Sequence, residues 1–428
     1  MMDLLQDNAV FVLFGSLVLL LLMRVPIGIS LGVSSIIGLL LIDYNIQTIP
    51  FNMFAAVDNV VLMAIPGFIF AGLIMAKGGI SFHLIEALKS MVGHVKGGIA
   101  IVAILACMIF AAISGSSPAT AAAVGSIMIP AMISAGYSKK YAMGLIAAAG
   151  TLGILIPPSI ALIIYGSIAE QSISDLFIAG IIPGILLGIM LMIFSVIYAR
   201  IHNLGGLEKA TKEEVIKKSS KAIWGFLLPI VIIGGIYSGA VTPTEASIVA
   251  VFYSLIISVF VYKEMTKEKF IEIVKESINT TAMIFLIIAS AIIFSTFLTI
   301  EQIPQNFSEW IAANSANKWI FILGINVMFF ILGMFLEAVA IILITLPIIL
   351  PVLLHFDINL IHFAIIMTIN MELAMITPPV GLNLFVVSGI AKERVGTVVK
   401  GVLPFFVIMV IGLILVTLIP EISLFLLK

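Results

Sequence analysis

The amino-acid sequence predicts an all-α polytopic membrane protein with an inverted structural repeat, two re-entrant helical hairpins and two broken transmembrane helices. Three observations carry this. The 428-residue chain is 62% apolar and only 10% charged, with a mean hydropathy of +1.29. Soluble domains carry about 25% charged residues, so most of this chain needs lipid around it. Second, Pro157-Pro158 in "GTLGILIPPSIALIIYGS" recurs as Pro378-Pro379 in "AMITPPVGLNLFVVSG", an offset of 221 residues. The same offset pairs Pro130 with Pro351, Ser167 with Ser388, Gly180 with Gly401 and Pro183 with Pro404. Third, the basic residues sort to one side of the predicted spans.

Crossing a bilayer takes roughly 17–25 apolar residues. Such runs lie near 8–23, 25–42, 60–76, 141–168, 176–199, 222–240, 246–262, 278–298, 361–388 and 401–420. Two more apolar stretches, 97–136 and 319–354, are about twice that length and interrupted in the middle. The opening "MMDLLQDN" is acidic where a signal peptide needs positive charge, so the first run is expected to be a retained helix. If both long stretches enter and leave on one side, 19 of the 21 basic residues share a face, and only Lys318 and Lys428 fall opposite. The positive-inside rule makes that face cytoplasmic and puts both termini outside.

With this topology, the span 141–168 runs outward and its partner 361–388 runs inward. Pro26 in "RVPIGISLGVSSIIGLLL" sits like Pro243 in "AVTPTEASIVAVFYSLII", again in opposite directions. The chain therefore divides into a first repeat (1–200), a cytoplasmic linker (201–223) and a second repeat (224–428). The linker, "ARIHNLGGLEKATKEEVIKKSSKAIW", is expected to form a short surface helix, as is "KEMTKEKFIEIVKESI". In "KGGISFHLIEALKSMVGHVKGG", Leu84, Leu88, Val92 and Val95 share one helical face, which suits an interfacial helix.

The stretch 97–136 reads either as two short spans or as a re-entrant hairpin turning at "SGSSPAT". The turn is uncharged, its small residues allow a tight reversal, and Pro118 suits the first turn of a returning helix. Broken spans at matching positions favour the hairpin, because irregular backbone survives in hydrocarbon only where protein or a polar cavity surrounds it. In the second half the turn is "LGMFLEAVA", which aligns Glu337 with Ser116 and Glu372 with Thr151.

A proline leaves the carbonyl four residues earlier without its helical donor. Pro157 and Pro158 thus free Gly153 and Ile154, and Pro378 and Pro379 free Ala374 and Met375. A dehydrated sodium ion suits such oxygens, since hard cations take several of them. A tip carbonyl near Ser114 can close one site and one near Gly333 or Phe335 the other, with the Thr377 hydroxyl contributing to the second. The structural alternative is a pair of kinks satisfied by neighbouring helices. Matched breaks in related halves point instead to the binding site of a secondary transporter. Glu337 and Glu372 are the deepest acids in the sequence. Glu337 can strengthen a cation site, carry a proton or hold the tip through backbone amides, and Glu372 can partner another helix. The hydroxyls of Ser116, Ser117 and Thr151 beside a half-helix N-terminus favour an anionic group. "TPTE" at Thr242 to Glu245 is a capping box. Cys107 lies in an apolar run as a spectator thiol.

Taken together, "GGISFHLIEALKSMVGHVKGG", "ISGSSPATAAAVGSIMIPAM", "GILIPPSIALIIYG", "GGIYSGAVTPTEAS" and "TPPVGLNLFV" resemble the large (M, DctM-type) membrane subunit of tripartite ATP-independent periplasmic (TRAP) transporters. The resemblance covers essentially the whole chain. It implies an elevator fold, import driven by Na+, a small four-helix membrane subunit as a separate chain, and a periplasmic binding protein that delivers an organic acid. Carried over, the first sodium site falls on Ser114, Gly153, Ile156 and Pro158, and the second around Gly333, Glu337, Ala374, Thr377 and Pro379. The substrate region falls near Ser116. The tip acid is Glu337 where Asp also occurs in the family. Within the family the chain looks most like sialic-acid (N-acetylneuraminate) systems, with C4-dicarboxylate and other carboxylate permeases as the alternative.

Other functions fit less well. A sodium/dicarboxylate symporter of the divalent-anion type shares the hairpins, but its paired Ser-Asn-Thr tips are missing here. An intramembrane serine protease needs a histidine beside "SGSSP", yet His83, His94, His202, His355 and His362 fall at edges or loops. A passive channel has no use for two occluding hairpins. The net charge of -1 and the lack of a basic block give no sign of nucleic-acid binding.

Overall fold

Apolar helices, of which eight among the described residues are long and apolar enough to cross a membrane, dominate the computed structural model. It describes residues 8–204, 206–314 and 317–427. Residues 1–7, including most of the acidic opening, and Lys428 lie outside the described part. Among the described residues all regular structure is helical. The first half comprises α1 (Ala9–Leu22), α2 (Ile27–Leu41), α3 (Thr48–Val57), α4 (Ala64–Lys77), α5 (Ile80–Val92), α6 (Gly98–Ser114), α7 (Ser117–Ser134), α8 (Lys139–Thr151), α9 (Ile160–Ala169) and α10 (Ile173–Ile201). The second comprises α11 (Lys212–Tyr237), α12 (Pro243–Ile256), α13 (Lys267–Ile300), α14 (Ile303–Asn314), α15 (Lys318–Gly333), α16 (Ala338–His355), α17 (Leu360–Ala374), α18 (Leu382–Ala391) and α19 (Val395–Leu418), followed by the short α20 (Glu421–Leu424).

The 221-residue offset holds at the level of helix ends. It carries Ser117–Ser134 onto Ala338–His355 at both termini and the start of α8 onto that of α17. Even the caps correspond. The Ser138 hydroxyl accepts from the Tyr141 N–H, and Asn359 accepts from the N–H groups of Ile361 and His362. Such caps satisfy donors that open a helix. Capping boxes at Thr211–Glu214 and Thr242–Glu245 open α11 and α12.

Several elements differ from the sequence-based expectation. The linker forms no separate surface helix, because Lys212 begins a 26-residue helix that continues into the predicted span. "KEMTKEKFIEIVKESI" likewise runs into the next span as one 34-residue helix, α13. No proline or glycine interrupts either junction, so polar and apolar segments share one rod. The segments near 43–59 and 299–318, which separate predicted apolar runs, contain the helices α3 and α14. The helix α5 does not lie with its apolar face in lipid. Leu84 and Leu88 are buried where α5 packs on α6 and α11, whereas Phe82, Met91 and, past the helix end, Val95 are exposed. Glu86 fastens the pair by ion pairs to Lys89 at 2.7 Å and to Lys218 on α11 at 3.0 Å.

Helices α1, α2, α4, α12 and α13 pack with one another, and a second group centres on α6–α9 and α15–α18. The groups meet where α4 touches α6 and α13 touches α16. Within the second group, α8 and α19 cross at paired glycines. A Cβ on Gly144 would overlap the Gly401 carbonyl, and one on Gly401 would overlap the Lys140 carbonyl. Small residues at such crossings let backbones touch, which is how helices gain contact in lipid.

Candidate functional site

Each hairpin reverses in a few residues. Helix α6 ends at Ser114, Gly115 turns the chain with φ +59°, and Ser116 is the extended N-cap of α7. A side chain at Gly115 would be strained by that φ and would also meet the Pro158 carbonyl at 2.8 Å. Thr120 organises the tip, its hydroxyl donating to the Ser116 carbonyl at 2.8 Å and lying 2.9 Å from the Ser114 hydroxyl. In the second hairpin α15 ends at Gly333, and Glu337 is the extended N-cap of α16 without a capping bond from its side chain.

Both tips dock on a proline break. The Ile160 N–H donates to the Gly115 carbonyl at 3.4 Å, and the Val380 N–H donates to the Met334 carbonyl at 3.1 Å. The tips therefore reach the middle of the α8–α9 and α17–α18 pairs, not their far ends. That is the re-entrant arrangement, and it excludes two full spans per hairpin. The Pro157-Pro158 and Pro378-Pro379 peptide bonds are both cis.

The carbonyls at the breaks are less free than proline positions alone imply. Ile154 accepts from the Ser159 hydroxyl at 2.5 Å. Ala374 accepts from the Thr377 N–H at 3.0 Å and Met375 from the Asn383 N–H at 3.1 Å. Local turns replace the missing helical donors. A carbonyl has two lone pairs, so one hydrogen bond still leaves capacity for a cation. Thr377 donates its hydroxyl hydrogen to Leu373 at 2.7 Å, which likewise leaves oxygen lone pairs unused.

The structure gathers most of the sequence-predicted residues. Gly153 lies against tip one, since a Cβ there would meet the Ser116 carbonyl and the Thr120 hydroxyl at 2.7 Å. The Ile156 N–H turns back to Leu152 at 2.9 Å, leaving its carbonyl side beside the prolines. With Ser114 and Pro158 they form one neighbourhood. Gly333 packs directly on Ala374. A cavity of about 170 Å³ is lined by Gly333–Glu337, Met375 and Val380–Leu382, next to Thr377 and Pro379.

A larger cavity of about 430 Å³ lies between the tips, with Ser114–Ala119 on one side and Glu337–Val339 on the other. Thr280 and Met283 of α13 and Gly72 of α4 form its outer wall. Glu337 lines both cavities. Two acids, Glu276 and Glu337, line the larger one, and among the described residues no lysine, arginine or histidine does. A third cavity, about 310 Å³, is walled by Ala55, Asn59 and Leu62, which stand 221 residues before Glu276, Thr280 and Met283.

Thr151 misses its predicted place, and Glu372, though as deep as expected, lacks the helix partner suggested for it. Thr151 is buried away from the cavity, donating to Ala148 at 2.7 Å beside Met409 of α19. A threonine in the last helical turn bonds back to its own helix, which the hydroxyl content of the segment did not reveal. Glu372 is fully buried, but neither carboxylate oxygen has a hydrogen-bond partner, so it is no polar tie to another helix. Ser116 and Ser117 do line the cavity. Sequence reasoning missed Thr120, Ser159 and Asn383. Polar side chains inside otherwise apolar runs were the signal for all three.

Paired hairpins, paired breaks and a shared cavity define a polytopic membrane permease rather than an enzyme. Residues 14–422 match the model of the "Tripartite ATP-independent periplasmic transporter, DctM component" family, and the chain belongs to that family. It is 44% identical to the C4-dicarboxylate TRAP transporter large permease protein DctM of Pseudomonas aeruginosa over 92% of this chain and 93% of that one. It is 37% identical to the sialic acid TRAP transporter large permease protein SiaM of Vibrio cholerae, over 95% and 96% of the two chains. The fold is also similar to the crystal structure of the Alcanivorax borkumensis YdaH transporter, with TM-score 0.64 at 16% identity and 87% of each chain covered.

Proposed function

We propose that this chain is the sodium-coupled transport subunit of a tripartite importer in a bacterial inner membrane, with both termini periplasmic. A periplasmic binding protein hands it an organic acid, and a small four-helix membrane subunit braces it. The observation that carries this reading is the convergence of both hairpin tips on one cavity, each tip docked on a proline break. Oxygens at the two breaks supply two cation sites: Ser114, Gly153, Ile156 and Pro158 at one, and Gly333, Glu337, Ala374, Thr377 and Pro379 at the other. The α7 N-terminus, with Ser116 and Ser117, faces the cavity and favours a carboxylate. Since no basic side chain lines that cavity, sodium ions beside Glu337 offset the repulsion between acid and anionic substrate. The hairpins and broken helices then move as a body against α4 and α13 in an elevator cycle.

The relative named for C4-dicarboxylate transport is 44% identical and the one named for sialic acid 37%. C4-dicarboxylates are therefore the first substrates to test, and the sialic-acid likeness read from the sequence motifs, which these identities do not support, is the rival. In proteoliposomes containing all three proteins, uptake is expected to stop when an inward sodium gradient is replaced by potassium. Undiminished uptake on a proton gradient alone would remove the sodium assignment.

A further inference from the structure

We infer that Asn383 is a positioning residue that ties the two candidate ion sites together, so that sodium at one is felt at the other. The inference rests on the sodium reading above and goes beyond it.

Asn383 is the second residue of α18, fully buried, and it uses every donor it has on a different part of the site. Its backbone N–H donates to the Met375 carbonyl at the second break, at 3.1 Å. Its side-chain amide donates to the Ser117 hydroxyl at the tip of the first hairpin, at 2.8 Å, and to the Ala147 carbonyl of α8, at 3.0 Å. One residue of the second repeat thus holds a tip and a broken helix of the first. The amide orientation follows from chemistry, because the Ala147 carbonyl can only accept and the NH₂ group must face it. Both amide hydrogens are then committed, and the Asn383 Oδ1 is left buried with no partner. A buried amide oxygen without a donor is costly. Holding the two repeats in register offsets that cost.

The position has no polar counterpart. Leu162 stands 221 residues earlier, so the tie exists once and runs from the second repeat to the first. If sodium at the second break draws in the Met375 segment, the Asn383 backbone moves with it. Its side chain then shifts Ser117 and α8, which adjoin Ser114 at the first tip and Gly153 at the first break.

Sodium titrations of the purified protein, read as melting-temperature shifts with choline as the control cation, test this. The wild type is expected to respond sigmoidally. Asn383→Asp, nearly isosteric but without the two amide hydrogens, is expected to raise the half-saturating sodium concentration at least about tenfold and to flatten the response toward a simple hyperbola. Ser117→Ala, which leaves Asn383 in place, is expected to flatten it as well, and the double variant to be no worse than Asn383→Asp alone. A purely structural role would lower the melting temperature without sodium and leave midpoint and steepness alone. That outcome in either variant overturns the inference, and Ser117→Ala decides it if Asn383→Asp does not fold. A wild type indifferent to sodium would instead overturn the sodium reading, and this inference with it.

Discussion

Glu337 occupies a helix N-cap position yet gives its carboxylate to no backbone N–H. Its carboxylate lines both the small cavity at the second break and the large one between the tips, where the proposed function gives it a cation. Glu337→Ala is expected to raise the sodium concentration needed for half-maximal uptake by on the order of tenfold or more, with Glu337→Asp retaining part of the affinity. Wild-type sodium dependence in Glu337→Ala would reduce this residue to packing. At this scale the sequence was half legible. Proline positions located both breaks, because a missing N–H is a certainty of composition. Where the freed carbonyls went was not legible: Ile154, Ala374 and Met375 find Ser159, Thr377 and Asn383 through turn geometry that no spacing encodes.

Among elements, the hairpins and broken helices were readable because the repeat was, and one half served as a control on the other. Joined helices were not. A run of charge at 267–277 looks like a surface segment, but nothing in it ends a helix, and α13 continues through. The amphipathic α5 was misjudged for a related reason: an apolar stripe does not say whether protein or lipid covers it. Here α11 covers it, fastened by Glu86. Burial raises the Glu86 pKa, but hydrogen bonds and ion pairs with Lys89 and Lys218 outweigh it and hold the carboxyl below its ordinary value. A depressed carboxyl stabilises the fold above the ordinary carboxylate range and loses that contribution as pH falls through its own pKa. Glu86→Gln is therefore expected to lower thermal stability in detergent at neutral pH by about 1 kcal/mol. The gap from wild type should close in strongly acidic buffer. A gap independent of pH would mean that the contact matters for packing and not for charge.

For the whole molecule, the described segments that the proposed topology places outside are α3, α14 and short turns, too small to enclose a dilute acid. On the proposed function, affinity for scarce substrate belongs to the binding protein and coupling to this chain. Reconstituted alone, the chain is expected to show no substrate uptake under a sodium gradient. Uptake should appear only with both partners and saturate with binding protein. Sodium-driven uptake by the lone chain would favour the simple symporter. Whole-molecule architecture was the most legible level, since a 221-residue repeat and a one-sided charge distribution survive any error in a single helix boundary.

The symmetry of the fold does not extend to its two doorways. At one, Lys77 bridges Glu272 and Glu276, and Glu276 reaches the cavity wall. At the other, the equivalent positions are Leu298, Phe51 and Ala55, all apolar. On the proposed function, a carrier apolar on one side of its cavities and ion-paired on the other is expected to run at different forward and reverse rates, even though the gradients alone fix its equilibrium. Solutes leave most easily where water and mobile charges replace their protein contacts, so net flux under mirrored gradients should be faster toward the Lys77 side. Replacing Lys77, Glu272 and Glu276 together by Leu, Phe and Ala should make forward and reverse rates converge in vesicles of known orientation, while leaving the accumulation ratio at equilibrium unchanged.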